Sequence, residues 1–385
     1  MNTCTAEFTR LSAELDEVRC DGNLFVTFKS PFSLQNWTMP VIELVLVAGA
    51  IACLIHAVRR RRRHRDSSNL VVWISGGVSV LLMEPVAYFP QWFGAEQSLG
   101  LTIVHNQFSV QFFYERLPLY IVAMYPVYTY VAYVLVQRTG IFQRYSAVVG
   151  AACVAFVYHC LYEVVDTVAV QFRWWVWNED LPSSKPALGL MPYVNLQAFA
   201  LGLPFALTLV TLLLSRRANV GGWTVARNAV VVSLLNWPIQ FLFSGPATVI
   251  DLAGASIETG RLIATWLLII SAAVVTAVAF TGAYLARRRD PDVLPAGVAR
   301  DYFALWCVLV YLAVAAAIWT AALPDYLDAD NGRTPAGAPV GSLPYAIITF
   351  ALSVVLTTAA YAGTKTAHGS RTTQRNATTA RLSGQ

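Results

Sequence analysis

Long apolar stretches dominate the chain, and short polar ones separate them. Nine are long enough to cross a bilayer: residues 39–58, 70–88, 117–136, 146–168, 192–214, 226–250, 262–286, 302–323 and 343–363. About 20 mostly apolar residues span the hydrocarbon layer as a helix. Lipid offers no partner to an unpaired backbone group, so helices are the expected form. The eighth and ninth stretches are rich in Ala and Thr and give a weaker signal. The pattern predicts an all-α, polytopic membrane helical bundle of about nine transmembrane helices. The transmembrane domain takes residues 39–363, after an N-terminal segment of residues 1–38. Residues 364–385, rich in Thr, Arg, Gly and Ser, read as a disordered tail.

Composition agrees with the pattern. The chain is 56% hydrophobic and only 13% charged, against roughly 25% charged residues in a soluble domain. The positive charges set an orientation. Arg59 to Arg63, Arg65, Arg138, Arg144, Arg216, Arg217, Arg227, Arg287 to Arg289, Arg300 and the tail's Lys365, Arg371, Arg375 and Arg381 fall in alternate loops. That puts 19 of the 27 basic residues on one side, which the positive-inside rule makes cytoplasmic. An odd number of spans then places the N-terminus outside and the C-terminus in the cytoplasm. The net charge of +5 is explained by this anchoring and does not argue for nucleic acid. The Arg-, Ala- and Val-rich usage suggests a GC-rich bacterium, and hence a plasma-membrane protein.

The first 38 residues show no apolar core after a basic start, so no cleavable signal peptide is expected. Phe8, Leu11, Leu15 and Val18 recur at helical spacing, which predicts a short amphipathic helix on the outer surface. Cys4 and Cys20 share this outside segment, and their pairing is left open. Cys53, Cys153, Cys160 and Cys307 fall in the apolar stretches and read as small apolar residues.

Candidate chemistry comes from the polar residues at membrane depth. Each ionisable side chain there costs roughly 2.5 to 3.5 kcal/mol at a helix centre and marks function by default. Glu84 precedes Pro85 near the outer end of the second stretch. Glu115 and Arg116 open the third, Asn195 and Gln197 the fifth. Asn236 and Gln240 lie in the sixth, with Asp251 at its outer end, and Glu43 lies in the outer half of the first. The fourth stretch carries His159, Glu163 and Asp166, spaced i, i+4, i+7, which places all three on one helical face. A carboxyl held in an apolar pocket is easier to keep protonated at neutral pH and serves as a general acid. Protonating a carbon–carbon double bond needs such an acid and aromatic faces for the cation that follows. Trp174, Trp175 and Trp177 after the fourth stretch, and Tyr88, Phe89, Trp92 and Phe93 after the second, supply those faces, although Trp and Tyr also gather at membrane interfaces whatever a protein does. His159, Glu163, Asp166 and His105 form an alternative set of metal ligands, but no His-Glu-x-x-His motif accompanies them. The acidic loop 325–332 places Leu327 and Ala329 where a calcium loop needs oxygen ligands.

One segment carries a resemblance. Asp166-Thr167-Val168-Ala169, then Trp175 and Trp177, then Gly189-Leu190-Met191-Pro192-Tyr193-Val194-Asn195 resembles the carotenoid hydratases, integral membrane proteins that hydrate the terminal double bond of long carotenoids. The likeness covers residues 163–195. It departs at Thr167, where that family has proline, and in the Glu179, Asp180 and Lys185 insert. The chain is also longer at its C-terminal end. Related small membrane lycopene cyclases and meroterpenoid cyclases use buried acids in similar bundles, so the resemblance implies isoprenoid chemistry more than one reaction.

The reading at this point is a membrane enzyme acting on a long isoprenoid lipid. Asp166 or Glu163 donates the proton, and Glu84 or Glu115 orients water or takes the final proton. Trp175 and Trp177 wall the cation; Asn195, His159, Arg116 and Asn236 complete the substrate site. The chemistry calls for no metal or organic cofactor and no nucleic acid, and its partners are the lipid substrate and the surrounding lipids. The alternatives are a proton-coupled transporter or flippase, in which the carboxylates relay protons, and a non-catalytic subunit of a membrane complex. No repeated halves or matching broken helices favour the transporter. The oligomeric state is left open.

Overall fold

The computed structural model describes residues 4–15, 22–96, 100–181, 184–188, 191–214, 221–252, 257–290, 294 and 296–362. Among them, nine helices are long and apolar enough to cross a membrane, and the chain is an all-α polytopic bundle. A short α1 (Ala6–Ala13) precedes α2 (Thr38–His64), α3 (Ser68–Tyr88), α4 (Leu119–Thr139) and α5 (Ala147–Ala169). A π-helical run, Asn195–Gly202, leads into α6 (Leu203–Leu214). Then come α7 (Gly222–Leu242), α8 (Ile257–Arg289), α9 (Phe303–Leu327) and α10 (Leu343–Tyr361).

Local chemistry sets the ends. Ser146 caps α5, its hydroxyl accepting from the Val149 N–H at 3.4 Å, a pairing typically worth about 1 kcal/mol. Gly140, at φ 84°, ends α4 in the left-handed conformation that glycine adopts without steric cost. Helix α2 runs six residues past the apolar stretch that predicted it, through the arginines to His64. Arginine is a good helix former, and cations favour a helix C-terminus.

Two helices form the centre. In α4 and α5, 83% of the spanning window is buried inside the protein, against 33% in α2 and 28% in α8. Around them, α4 packs on α2, α3 and α9, and α5 on α6, α8 and α10. The peripheral helices present Leu44, Ile51, Val274, Val278 and Ile347 outward, an apolar surface that suits lipid and not water. Close approach is needed where α3 crosses α4: a Cβ at Gly76 would sit 2.9 Å from the Pro126 Cα. It recurs where the start of α6 meets α7, at Gly202 against the Gln240 carbonyl, 2.5 Å away.

The end opposite the arginine-rich one is capped by short strands. These are β1 (Val26–Phe28), β2 (Ile103–His105), β3 (Val110–Phe112), β4 (Leu117–Pro118), β5 (Trp175–Trp177), β6 (Pro186–Leu188) and β7 (Met191–Pro192). They form an antiparallel β1-β3-β4 sheet and two ribbons, β2-β5 and β6-β7. Strands of two or three residues leave no periodicity to read in a sequence. Glu43 is used here: its carboxylate accepts from the Ser109 and Val110 N–H groups at 3.1 and 3.3 Å, pinning β3 to α2.

Helix α1 forms where the spacing predicts it, but its apolar face does not lie on lipid. Phe8, Leu11 and Leu15 pack with Leu101, Val104 and Val176 on the back of the β2-β5 ribbon. Arg10 ties α1 to the loop beyond β5, through Asp180 at 2.9 Å and Asn178 at 3.0 Å. Cys4 is disulfide-bonded; Cys20 and Val18 lie outside the described residues, as do the tail 364–385 and the Asp251 side chain.

Candidate active site

The β2-β5 ribbon is the roof of a cavity. Successive side chains of a strand point to opposite faces. Ile103 pairs with Trp177, and His105 with Trp175, so these four share one face and line the space beneath. Val104 and Val176 take the other face and meet α1. The Trp-x-Trp spacing therefore has a structural cause: it aims both indoles inward from one strand.

Helices supply the walls. Met83, Glu84 and Ala87 come from α3; Ile121, Met124 and Tyr125 from α4; Tyr162 and Asp166 from α5; Asn195 and Phe199 from the π-helical entry to α6; and Trp237 and Phe241 from α7. The enclosed volume is about 370 Å³, toward the small end of the usual range for ligand pockets. Its flank on α7 reaches the outer face of the bundle, where Phe241 is 39% exposed.

The polar groups in this apolar space are few and connected. The Asn195 amide donates to Asp166 Oδ2 at 2.7 Å, and the Tyr162 hydroxyl donates to Asn195 Oδ1 at 3.2 Å. All three residues are buried. Asp166 Oδ1 has no hydrogen-bond partner among the described residues, and neither do the indole N–H groups of Trp175, Trp177 and Trp237. Buried polar atoms are normally paired, so four unpaired ones on the walls of one cavity are positions a ligand or water would satisfy. Glu84, also buried, lines the cavity from α3. His105 is held by the Tyr120 hydroxyl at 3.1 Å. Burial pushes its pKa down to about 3, so it is a neutral hydrogen-bonding group at physiological pH.

Of the residues singled out from the sequence, Glu84, Tyr88, His105, Asp166, Trp175, Trp177 and Asn195 meet in this cavity. The others do not line it. His159 and Glu163 sit one to two turns deeper than Asp166 along α5. There the His159 Nε2 meets the Tyr345 hydroxyl of α10 at 2.7 Å, and its Nδ1 lies 3.7 Å from Glu163 Oε1. The i, i+4, i+7 face is real, but depth divides it between the cavity and the α5–α10 interface. Glu115 lies in a left-handed turn with Phe113 and Tyr114, at φ 52° to 62°. Its carboxylate accepts from the Gln107 amide at 2.7 Å. Arg116 turns the other way, 3.2 Å over the Phe8 ring and 3.4 Å from the Tyr88 carbonyl; burial brings its pKa down to about 9.

Asn236 donates to Gln240 Oε1 at 2.7 Å, and Ser233 of the same face donates to the Ser75 carbonyl at 3.3 Å. That face joins α7 to α3, while the neighbouring Trp237 reaches the cavity. The alternative ligand set is not assembled: no three His, Cys, Asp or Glu among the described residues are placed to share a metal. His105 and His159 are each engaged by a tyrosine instead. Reading the sequence missed Tyr162, Trp237 and the roof position of His105. Tyr162 was signalled by its i, i+4 spacing to Asp166; His105 depends on a strand pairing that no local pattern announces.

The chain belongs to a family described as a domain of unknown function (DUF7802), whose model matches residues 29–223. That stretch holds every residue lining the cavity except Trp237 and Phe241. Comparison with curated proteins and with solved structures found no match.

Proposed function

We propose that the protein is a membrane enzyme that protonates a carbon–carbon double bond at the end of a long isoprenoid lipid, of carotenoid or terpenoid type, followed by hydration or cyclisation. The observation that carries this reading is the pairing of an apolar, aromatic cavity with two carboxyl groups on facing helices, Asp166 and Glu84. A volume of about 370 Å³ suits the end of such a chain and not its whole length; the remainder would lie in lipid past Phe241. Asp166, in its protonated form and oriented by Asn195, gives its proton to one alkene carbon and leaves a cation on the other. The faces of Trp175, Trp177 and Tyr125 stabilise that cation. In hydration, water adds to the cation and loses a proton to Glu84. In cyclisation, a second double bond of the chain attacks and Glu84 takes the proton released as the new double bond forms. Exclusion of bulk water protects the intermediate.

The transporter reading needs a polar path from the cavity to the arginine-rich end. Inward of Asp166, the rings of Tyr128, Tyr158, Tyr162 and Tyr311 pack against one another with centroids 5.3 to 5.9 Å apart, and this filling favours a pocket closed on that side.

The test is turnover. Purified protein in lipid nanodiscs is incubated with a panel of linear isoprenoids, beside Asp166→Asn, and product mass is followed. A gain of one water identifies a hydratase and an isomer of unchanged mass a cyclase. Conversion should fall at least about a hundredfold in the variant, the scale of a lost general acid. A folded wild type that converts nothing across the panel would defeat the proposal.

A further inference from the structure

A second cavity, of about 450 Å³, lies at the arginine-rich end, between the last turns of α2 and residues 297–301. Its lining holds four arginines, Arg59, Arg60, Arg63 and Arg300, and two histidines, His56 and His64, against a single carboxylate, Asp301. That carboxylate is already engaged. Arg60 donates to Asp301 Oδ2 at 2.9 Å, and His56 Nε2 lies 3.1 Å from the same oxygen. The floor is fixed in turn: His56 meets the Tyr130 hydroxyl at 2.7 Å and stacks on Phe303 at 4.2 Å, and Arg60 is buried. Arg59, Arg63 and Arg300 form the rim and are exposed; none makes an ion pair among the described residues. Arg60 also reaches Asp66 at 3.6 Å, so the positive charge left uncompensated in this concave site is that of the three rim arginines.

We propose that this cavity binds the phosphate of an anionic phospholipid headgroup. Depth supports a lipid source. Arg59 lies 21 residues along α2 from Thr38, which at 1.5 Å per residue is about 30 Å, the thickness of the hydrocarbon layer. The rim thus sits at the level of the headgroup phosphates. Arginine forks match phosphate oxygens, and basic pockets between spanning helices recognise anionic headgroups. Topological anchoring alone does not explain the arrangement. His56, Arg59, Arg60, Arg63 and His64 fall on one face of α2 at i, i+3, i+4 spacing and converge with Arg300, whereas Arg62 of the same run is outside the lining.

The site is distant from the isoprenoid cavity and independent of it. The test uses the full chain released from nanodiscs containing phosphatidylcholine and phosphatidylglycerol, with bound lipid read by native mass spectrometry. Wild type should retain one phosphatidylglycerol in preference to phosphatidylcholine. At roughly a factor of five per arginine, the triple variant Arg59→Gln, Arg63→Gln, Arg300→Gln should bind it about a hundredfold more weakly. A control that removes equal charge outside the cavity, Arg62→Gln, Arg288→Gln, Arg289→Gln, should bind as wild type does. Retention by the triple variant equal to the control would overturn the proposal. So would a wild type without preference for the anionic lipid, a result that depends on no variant's folding. Displacement of the lipid from wild type by inorganic phosphate would reassign the site to a soluble phosphate compound and refute the lipid source.

Discussion

Asp166 and Glu163 lie one turn apart on α5 and meet different surroundings. Asp166 has one oxygen held by Asn195 and one unpaired on the cavity wall. Glu163 is fully buried, and neither of its oxygens has a hydrogen-bond partner among the described residues. An unsatisfied buried polar group costs roughly 1 to 3 kcal/mol, and apolar replacement of similar volume removes that cost. Glu163→Met should therefore raise the thermal midpoint and leave turnover within a few fold, while Asp166→Asn abolishes turnover and keeps the fold. A lower midpoint for Glu163→Met would mean that His159 and Glu163 form a stabilising ion pair despite the 3.7 Å gap. His105 gives a pH prediction. Its folded pKa of about 3 lies below the unfolded value of about 6.5. Between those values the unfolded chain binds a proton that the folded one does not. Stability should fall as pH drops from about 6.5 toward 3 and be insensitive to this group above it. His105→Asn should flatten that part of a plot of thermal midpoint against pH; an unchanged plot would show that His105 is protonated in place.

At the level of elements, packing distances give sharper expectations than hydropathy does. Gly76 and Gly77 are neighbours in α3, yet a Cβ at Gly76 meets the Pro126 backbone, and at Gly77 it meets nothing within 4 Å. Gly76→Ala should destabilise by about 1 to 3 kcal/mol, the cost of overpacking. Gly77→Ala should stabilise by up to about 1 kcal/mol through helix propensity. Equal effects in a detergent thermal-melt assay would contradict the α3–α4 crossing. The same contrast explains what the sequence revealed. The nine helices among the described residues that are long and apolar enough to span were legible because lipid demands about 20 apolar residues in a row, a constraint written locally. Asp166, Glu84 and Asn195 were legible because charge and amide groups are rare at that depth. Trp175 and Trp177 were legible as aromatics, but their shared direction was not, because it follows from pairing across 70 residues between β5 and β2. His159, Glu163 and Asn236 carried the same signal of rarity as Asp166. Only the positions of α10 and α3 separate interhelical contacts from cavity lining.

For the whole molecule, two independent features bear on orientation. The arginines gather at one end, which favours the cytoplasmic side. The disulfide-bonded Cys4 lies with α1 on the ribbon at the other end, and disulfides persist in oxidising compartments. The four free cysteines among the described residues, Cys53, Cys153, Cys160 and Cys307, lie within spanning helices, where neither compartment acts on them directly. Both features favour the expectation that the ribbon, and the cavity beneath it, face the outer leaflet. The phosphate-binding cavity then faces the inner leaflet. This predicts that Ala336→Cys, exposed in the loop before α10, reacts with a membrane-impermeant maleimide on intact cells. Arg62→Cys, exposed among the α2 arginines, should react only after permeabilisation. The reverse pattern would place the ribbon in the cytoplasm. In that case a reducing compartment would act on the Cys4 disulfide, and the cavity beneath the ribbon would lie toward the inner leaflet. Labelling of both sites on intact cells would indicate two orientations, and the arginine-rich end would then not set topology by itself.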